Sequence, residues 1–216
     1  MNASSAAARA PLGLVALLAT ALLVNYVDRG SIATAAPLLE KELSLSPSEM
    51  GWVLAAFYWA YARLQPVSGW LADRFGPARV LAGGFLVWSV ATATTGLVGG
   101  LVALVALRLA MGLGESTFYP SALSLLSRNV PPGQRARATA VMQFGSVVGP
   151  ALGTFVGGLI MVRYGWRAMF IAMGTASLVW LVFWLRWMRR PHAGEAAAPR
   201  AGEDPPYWLI LRQRAL

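Results

Sequence analysis

The sequence contains no cysteine and a single histidine, His192, among its 216 residues. Without cysteine there can be no disulfide and no thiolate-ligated metal. The histidine lies in a polar stretch near the carboxyl terminus, where we expect no chemical role for it. The sequence also has no phosphate-binding loop, metal-ligand cluster or nucleophile–base arrangement, so we predict neither an enzyme nor a bound cofactor.

Charged residues are scarce as well. They make up 12% of the chain, while hydrophobic residues make up 57%; a soluble domain usually has about 25% charged residues. A chain this apolar cannot bury its surface in one soluble core, which indicates a lipid bilayer as its surroundings. The net charge is +9, but the arginines stand between apolar runs instead of forming one basic face, so we expect no nucleic-acid partner.

Six apolar runs have roughly the 20 residues that a membrane helix needs. The first run is too long for a signal peptide and lacks a convincing cleavage site, so we interpret it as an uncleaved helix. The sequence therefore predicts an all-α membrane protein whose six transmembrane helices occupy residues 12–190. The predicted spans are 12–36, 48–71, 79–98, 101–125, 137–161 and 167–188.

The placement of arginine predicts the topology of these spans. Arginine is concentrated in alternate connections, which indicates that those connections and both termini are cytoplasmic. Residues 1–11 form the expected cytoplasmic amino terminus. Residues 191–206 have the composition of a flexible linker, and residues 207–214 are typical of the approach to another span. We therefore expect residues 191–216 to lead to a second half that is missing from this sequence.

Ionisable residues at membrane depth are costly and usually functional. Those in this sequence are Asp28, Arg29, Arg63, Arg108 and Glu115. Counting from the ends of their spans places Arg29 and Arg108 at similar depth, where two guanidinium groups could clamp one carboxylate. Glu115 shares a helix face with Arg108 and lies near the midplane, where a proton and an anion could change each other's charge state. The alternative is that these charges form internal salt bridges that only join helices.

Glycine recurs every fourth residue in the fifth predicted span, at positions 145, 149, 153 and 157. This spacing forms a smooth strip on one helix face, which permits close packing of a neighbouring helix. Pro150 within the strip predicts a bend. Both tight packing and a moving gate are compatible with this pattern.

The segment GWLADRFGPAR, residues 69–79, resembles the cytoplasmic signature G-x-L-a-D-r-x-G-x-R of the major facilitator superfamily. The resemblance implies the amino-terminal half of that fold, in which six helices form two three-helix repeats. It also implies a cytoplasmic gating motif made of Gly69, Asp73, Arg74, Gly76 and Arg79. In that motif the glycines permit a tight turn, and Asp73 meets the amino-terminal dipole of a helix in the other half.

Four further segments resemble the anion:cation symporter family within that superfamily. They are NYVDR at 25–29, YARLQ at 61–65, RLAMGLGE at 108–115, and GWR with Phe170 at 165–170. The substrate-binding residues that the resemblance implies are Tyr26, Arg29, Tyr61, Gln65 and Arg108. The implied proton carriers are Asp28 and Glu115. Arg29 would hold the substrate carboxylate, and Arg108 would contact either Glu115 or the anion.

The second helix departs from the family pattern at two positions. Arg63 stands where an apolar residue is usual, and Pro66 comes one residue early. Arg63 lies about 200° around the helix from Tyr61 and Gln65, so we assign it no substrate role.

The implied function is secondary transport, namely proton-coupled symport of a small organic anion such as a sugar acid. The implied location is a bacterial inner membrane, and the implied partners are the anion, protons, lipid and the missing half. Two alternatives stay open. GSVVGPALG at 145–153 resembles the antiporter pattern of the superfamily, which favours a proton-driven exporter of drugs or metabolites. A six-helix chain without its second half could also be an inactive fragment.

Overall fold

The computed structural model describes residues 11–189, and helices account for nearly all of them. The helices are α1 Leu12–Glu42, α2 Pro47–Phe75, α3 Pro77–Thr95, α4 Leu101–Ser116, α5 Phe118–Asn129 and α6 Pro132–Met188. Since no strand occurs in the described range, the prediction of an all-α protein is confirmed. The predicted linker at 191–216 lies outside the described residues.

Local sequence signals fix the ends of α2. Its first turn has a capping box, in which the Glu49 N–H donates to Ser46 Oγ and the Ser46 N–H donates to Glu49 Oε2. Pro47 occupies the first helical position, where its missing N–H costs nothing. α2 and α3 are joined by Gly76 alone, whose φ of 90° is a conformation that glycine adopts without strain.

The longest helix, α6, is interrupted at Gly165, where φ is 83° and ψ is 167°. It contains 57 residues, so a straight helix would be roughly 85 Å long, whereas the hydrocarbon core of a bilayer is about 30 Å thick. The turn at Gly165 divides α6 into a first arm and a second arm. Each arm is long enough to cross the bilayer by itself.

Three helical stretches are long and apolar enough to cross a membrane, namely Leu12–Glu42, Leu101–Asn129 and Pro132–Met188. The stretch Leu101–Asn129 combines α4 and α5, because Thr117 between them keeps helical angles. α2 and α3 are not among these three. Both contain charged residues, such as Arg63 in α2 and Arg79 in α3. The composition of the helices thus supports a membrane protein but does not by itself establish six crossings.

The glycine strip of α6 packs tightly against α1. A Cβ atom added to Gly145 would lie 2.7 Å from the Ala19 carbonyl oxygen, and one added to Gly153 would lie 2.4 Å from that of Val27. Real Cβ atoms do not come so close, so the two backbones touch because these residues are glycine. The packing interpretation of the strip therefore has direct geometric support.

Candidate functional site

An ion pair between α1 and α4 lies at the centre of the candidate site. Arg29 Nε donates to Glu115 Oε2 over 2.7 Å. The Glu115 side chain is fully buried, and that of Arg29 is 15% exposed. Arg29 Nη2 and Glu115 Oε1 have no hydrogen-bond partner among the described residues. Each member of the pair therefore keeps one polar atom available for a ligand or a proton.

Three aromatic rings surround the guanidinium group of Arg29. Its Cζ lies 4.8 Å from the ring centroid of Tyr26, 5.0 Å from that of Phe57 and 4.6 Å from that of Tyr61. Phe57 and Tyr61 lie one turn apart on α2, and their rings stack at 5.7 Å. Such contacts are worth about 1 kcal/mol each and restrict the orientation of the guanidinium. The rings thus restrict the orientation of the Arg29 guanidinium group and fix the direction of its Nη2.

Arg108 is the second arginine that the sequence placed at this depth, and it contacts the same aromatic ring. Its Cζ also lies 5.0 Å from the Phe57 centroid, and only 3% of the residue is exposed. Its Nη1 donates to the sulfur of Met111, and its Nε has no partner in the described part of the chain. Glu115 bonds Arg29 and not Arg108. A buried guanidinium without a carboxylate partner is costly, which favours an anion as its ligand.

Asp28 lies next to this pair but is bonded to neither arginine. It is 1% exposed, and within residues 11–189 neither of its carboxyl oxygens has a hydrogen-bond partner. Arg108 and Glu115 lie within electrostatic range of Asp28, and Trp88 and Thr92 of α3 are its polar neighbours. A buried carboxyl group without a bonded cation is typical of a group that binds a proton.

The structure separates the remaining residues of α2 that the sequence singled out. Gln65 is half-buried and makes no hydrogen bond to the described residues. Arg63 is exposed, and its Cζ lies 5.8 Å from the Trp59 ring centroid. Arg63 therefore lies outside the Arg29 cluster, in agreement with its position on the helix.

Sequence reasoning did not identify three residues of this region, namely Phe57, Tyr119 and Gln143. Tyr119 Oη donates to Gln143 Oε1 over 3.1 Å, which joins α5 to the first arm of α6. Tyr119 also lies near Tyr26 and Tyr61. The spacing contained a usable signal, because Tyr119 follows Glu115 by one helical turn and Phe57 precedes Tyr61 by one.

The residues of the signature motif lie at the ends of α2 and α3. Asp73 Oδ1 lies 3.7 Å from Arg128 Nη2, an ion pair that joins the end of α2 to the end of α5. The Cζ of Arg74 lies 5.5 Å from the Trp70 ring centroid, and Arg79 is exposed. The contact between Asp73 and a helix dipole of a second half stays a prediction. Within the described residues, the partner of Asp73 is Arg128.

Comparisons with known proteins identify relatives over most of the chain. Residues 18–215 match the family model described as Major Facilitator Superfamily. The "Probable sulfoacetate transporter" of Cupriavidus necator is 37% identical over 74% of this chain and 37% of the relative. The hexuronate transporter of Bacillus subtilis is 29% identical over 95% of this chain and 50% of the relative. The D-galactonate transporter of Escherichia coli is 31% identical over 88% of this chain and 44% of the relative.

Solved structures support the same fold. A bacterial homologue of the human lysosomal transporter Spinster, in an inward-facing occupied conformation, has a TM-score of 0.73 and 22% identity, covering 90% of this chain and 48% of that chain. The proton:xylose symporter XylE has a TM-score of 0.69 and 18% identity, covering 81% of this chain and 44% of that chain. At these identities the likeness extends to the fold alone. The chain spans about half the length of the curated relatives it matches or less.

Proposed function

The chain belongs to the Major Facilitator Superfamily, and from that premise we propose that it is the amino-terminal part of a proton-coupled symporter for a small organic anion. Membership makes it an integral membrane protein and a transporter rather than an enzyme. The observation that carries the proposal is the buried Arg29–Glu115 pair, whose guanidinium keeps a free nitrogen inside an aromatic enclosure.

The proposed architecture has six crossings. α1, α2, α3, the combined stretch Leu101–Asn129 and the two arms of α6 are the six segments. We include α2 and α3 among the crossings, because charged residues within a span are tolerated where they face protein and not lipid. In this arrangement both termini are cytoplasmic, and the membrane is a bacterial inner membrane. A second six-helix half completes the substrate site near the midplane.

Two arginines recognise the anion in this proposal, through nitrogen donors that form no hydrogen bond to the described residues. Arg29 Nη2 and Arg108 Nε are buried and have no hydrogen-bond partner among residues 11–189, and both guanidinium groups lie against Phe57. A carboxylate that reached both would accept charge-assisted hydrogen bonds in surroundings of low dielectric.

Proton coupling follows from competition for Arg29. Glu115 and the substrate carboxylate would both bind the same guanidinium, and a buried site tolerates little surplus charge. A proton on Glu115 removes its negative charge and frees Arg29 for the incoming anion. Proton binding and anion binding would therefore favour each other, which is the thermodynamic requirement for symport. We propose Asp28, buried and unbonded, as a second proton carrier.

The proposed substrate class is a sugar acid or a related carboxylate. The rings of Tyr26 and Tyr61 lie against Arg29, and Tyr119, which donates to Gln143, lies near both of these tyrosines. Hydroxyl and amide groups of this kind bind substrate hydroxyls well. Relatives named for hexuronate and D-galactonate transport support this class. Exporters of apolar cations would gain nothing from two arginines at the site. The glycine pattern that suggested an exporter is accounted for by the packing of α6 on α1.

Uptake of a panel of radiolabelled anions tests the proposal. Vesicles would contain the chain alone or together with the matching carboxyl-terminal half, and hexuronate, galactonate and sulfoacetate would be supplied with and without an inward proton gradient. We expect gradient-dependent uptake of at least one anion when both halves are present. Uptake of none of them despite confirmed insertion of both halves would reject the symporter and favour an inactive fragment.

A further inference from the structure

A second polar cluster, which we call the end clasp, lies where α1 ends. It consists of Glu42, Trp166, Arg167 and the backbone carbonyls of Gly96 and Val98. Arg167 Nε donates to Glu42 Oε1 over 3.0 Å, and Arg167 Nη2 lies 2.9 Å from the same oxygen. Trp166 Nε1 donates to the other oxygen, Glu42 Oε2. The clasp thus engages both oxygens of the Glu42 carboxylate.

The same guanidinium also binds the connection between α3 and α4. Arg167 Nη1 donates to the Val98 carbonyl over 2.7 Å and to the Gly96 carbonyl over 3.3 Å. The Cζ of Arg167 lies 4.3 Å from the Trp166 ring centroid, so the ring covers one side of the guanidinium. Arg167 therefore links three chain segments through all three of its nitrogens. An exposed pair of single charges would contribute little, but a planar fork with several acceptors gives geometric specificity.

Local sequence explains why the segments meet here. The positive φ of Gly165 turns the chain so that Trp166 and Arg167 begin the second arm of α6. A Cβ atom on Gly96 would lie 2.4 Å from the Arg167 carbonyl oxygen, so the end of α3 can approach only because residue 96 is glycine. Below the clasp, Trp166 and Val98 join Leu39 of α1 in one buried apolar cluster.

α1 lacks one backbone hydrogen bond shortly before the end clasp. Pro37 lies inside the helix, where it cannot donate the backbone hydrogen bond that other residues supply. Arg29 lies on one side of Pro37 and Glu42 on the other, 13 residues apart, which corresponds to roughly 20 Å along the helix. Without the clasp, apolar packing such as that of Leu39 would be left to hold the segment after Pro37 in line with the part that carries Arg29.

We propose that Arg167 and Glu42 are positioning residues, which hold the end of α1 beyond Pro37 against α6 and the α3–α4 connection during transport. The clasp then stays closed through the conformational cycle, and α1 moves together with the rest of this half. Arg167 touches neither the anion nor the proton carriers in this account. It acts on the rate at which the protein changes conformation, not on substrate affinity.

The first test measures distance and needs no substrate. Since the chain has no native cysteine, spin labels can be placed on Lys41→Cys and Leu97→Cys, two exposed positions outside the clasp side chains. We expect one narrow distance distribution in the parent protein. Arg167→Ala should add a longer component, and Arg167→Lys, which keeps the charge but not the fork, should fall between. Arg163→Ala is the matched control, because Arg163 is an exposed arginine four residues away whose side chain lies against the Tyr164 ring and forms no ion pair with the described residues.

The second test measures uptake and rests on the proposed function. Per inserted molecule, Arg167→Ala should lower the maximal rate roughly fivefold, while KM stays within about twofold of the parent value. Arg163→Ala should change neither. Identical distance distributions in Arg167→Ala and parent would overturn the proposal, as would an unchanged rate per inserted molecule. If the parent itself transports none of the anions, the symporter fails, and the distance test alone decides the clasp.

Discussion

At the residue scale, we propose that one guanidinium group, that of Arg29, binds two carboxylates in turn, first Glu115 and then the substrate. Arg29 is bonded to Glu115 in the described structure, and its second terminal nitrogen is free. Arg108 shares the Phe57 ring with Arg29 but has no bonded carboxylate among the described residues. We propose that these two guanidinium groups bind the carboxylate of the substrate anion.

Substitution of Arg29 should abolish transport. Arg29→Ala removes the donor proposed to hold the substrate carboxylate and leaves Glu115 buried without its partner, so uptake should fall by roughly 100-fold or more. Arg29→Lys should rescue little of it, because an ammonium group cannot bond Glu115 and present a second planar donor. Arg63→Ala is the control, since Arg63 is exposed and lies outside the cluster. Uptake by Arg29→Ala at the parent rate would show that the anion binds elsewhere.

Substitution of Glu115 should separate binding from coupling. Glu115→Gln keeps the shape and one acceptor oxygen but cannot exchange a proton. We expect the variant to bind the anion and to exchange internal for external anion at near the parent rate. Accumulation driven by a proton gradient should be lost. If Glu115→Gln still accumulates the anion against its gradient, another group carries the coupled proton.

The sequence analysis identified the charged residues of the candidate site but not the aromatic residues Phe57 and Tyr119. Charges at membrane depth are rare, so Asp28, Arg29 and Glu115 stand out in an apolar run. Phe57 and Tyr119 do not, since aromatic residues are common in such runs and only the three-dimensional contact with Arg29 or Tyr26 distinguishes them. The roles of all these residues remain predictions.

At the scale of the elements, an apolar run indicates where a span can lie but not where its helix ends. The predicted first span stops at residue 36, whereas α1 continues to Glu42, because a helix does not end where hydrophobicity ends. Gly165 was recognised only as part of a motif, and its positive φ is what separates the two arms of α6. The amino-acid composition does not predict such a backbone angle, because the angle depends on how the two arms of α6 pack.

The glycine strip provides a stability test with a matched control on the same helix. Gly153→Ala should destabilise the protein by about 1–3 kcal/mol, because the new methyl group would collide with the Val27 backbone. Gly158→Ala meets no atom within 4 Å and should be neutral or slightly stabilising. Thermal unfolding of the purified variants in one detergent measures both. Equal melting temperatures for the two variants would contradict the close contact between α1 and α6.

At the scale of the whole molecule, the proposed six crossings place the two ends of the first arm of α6 on opposite sides of the membrane. Gly133 and Val162 are exposed near those ends, and the chain has no native cysteine. In intact cells, an impermeant thiol reagent should label Val162→Cys but not Gly133→Cys. In inverted vesicles the pattern should reverse. Labelling of both positions from one side would refute the topology.

Proton-coupled symport is measured directly as proton movement driven by the anion alone. Vesicles containing this chain and the matching carboxyl-terminal half would receive external hexuronate or galactonate with no imposed proton gradient, while a dye reports the external pH. The account predicts external alkalinisation that accompanies anion entry and is absent in Arg29→Ala. Anion entry without any change in external pH, or with acidification, would contradict it.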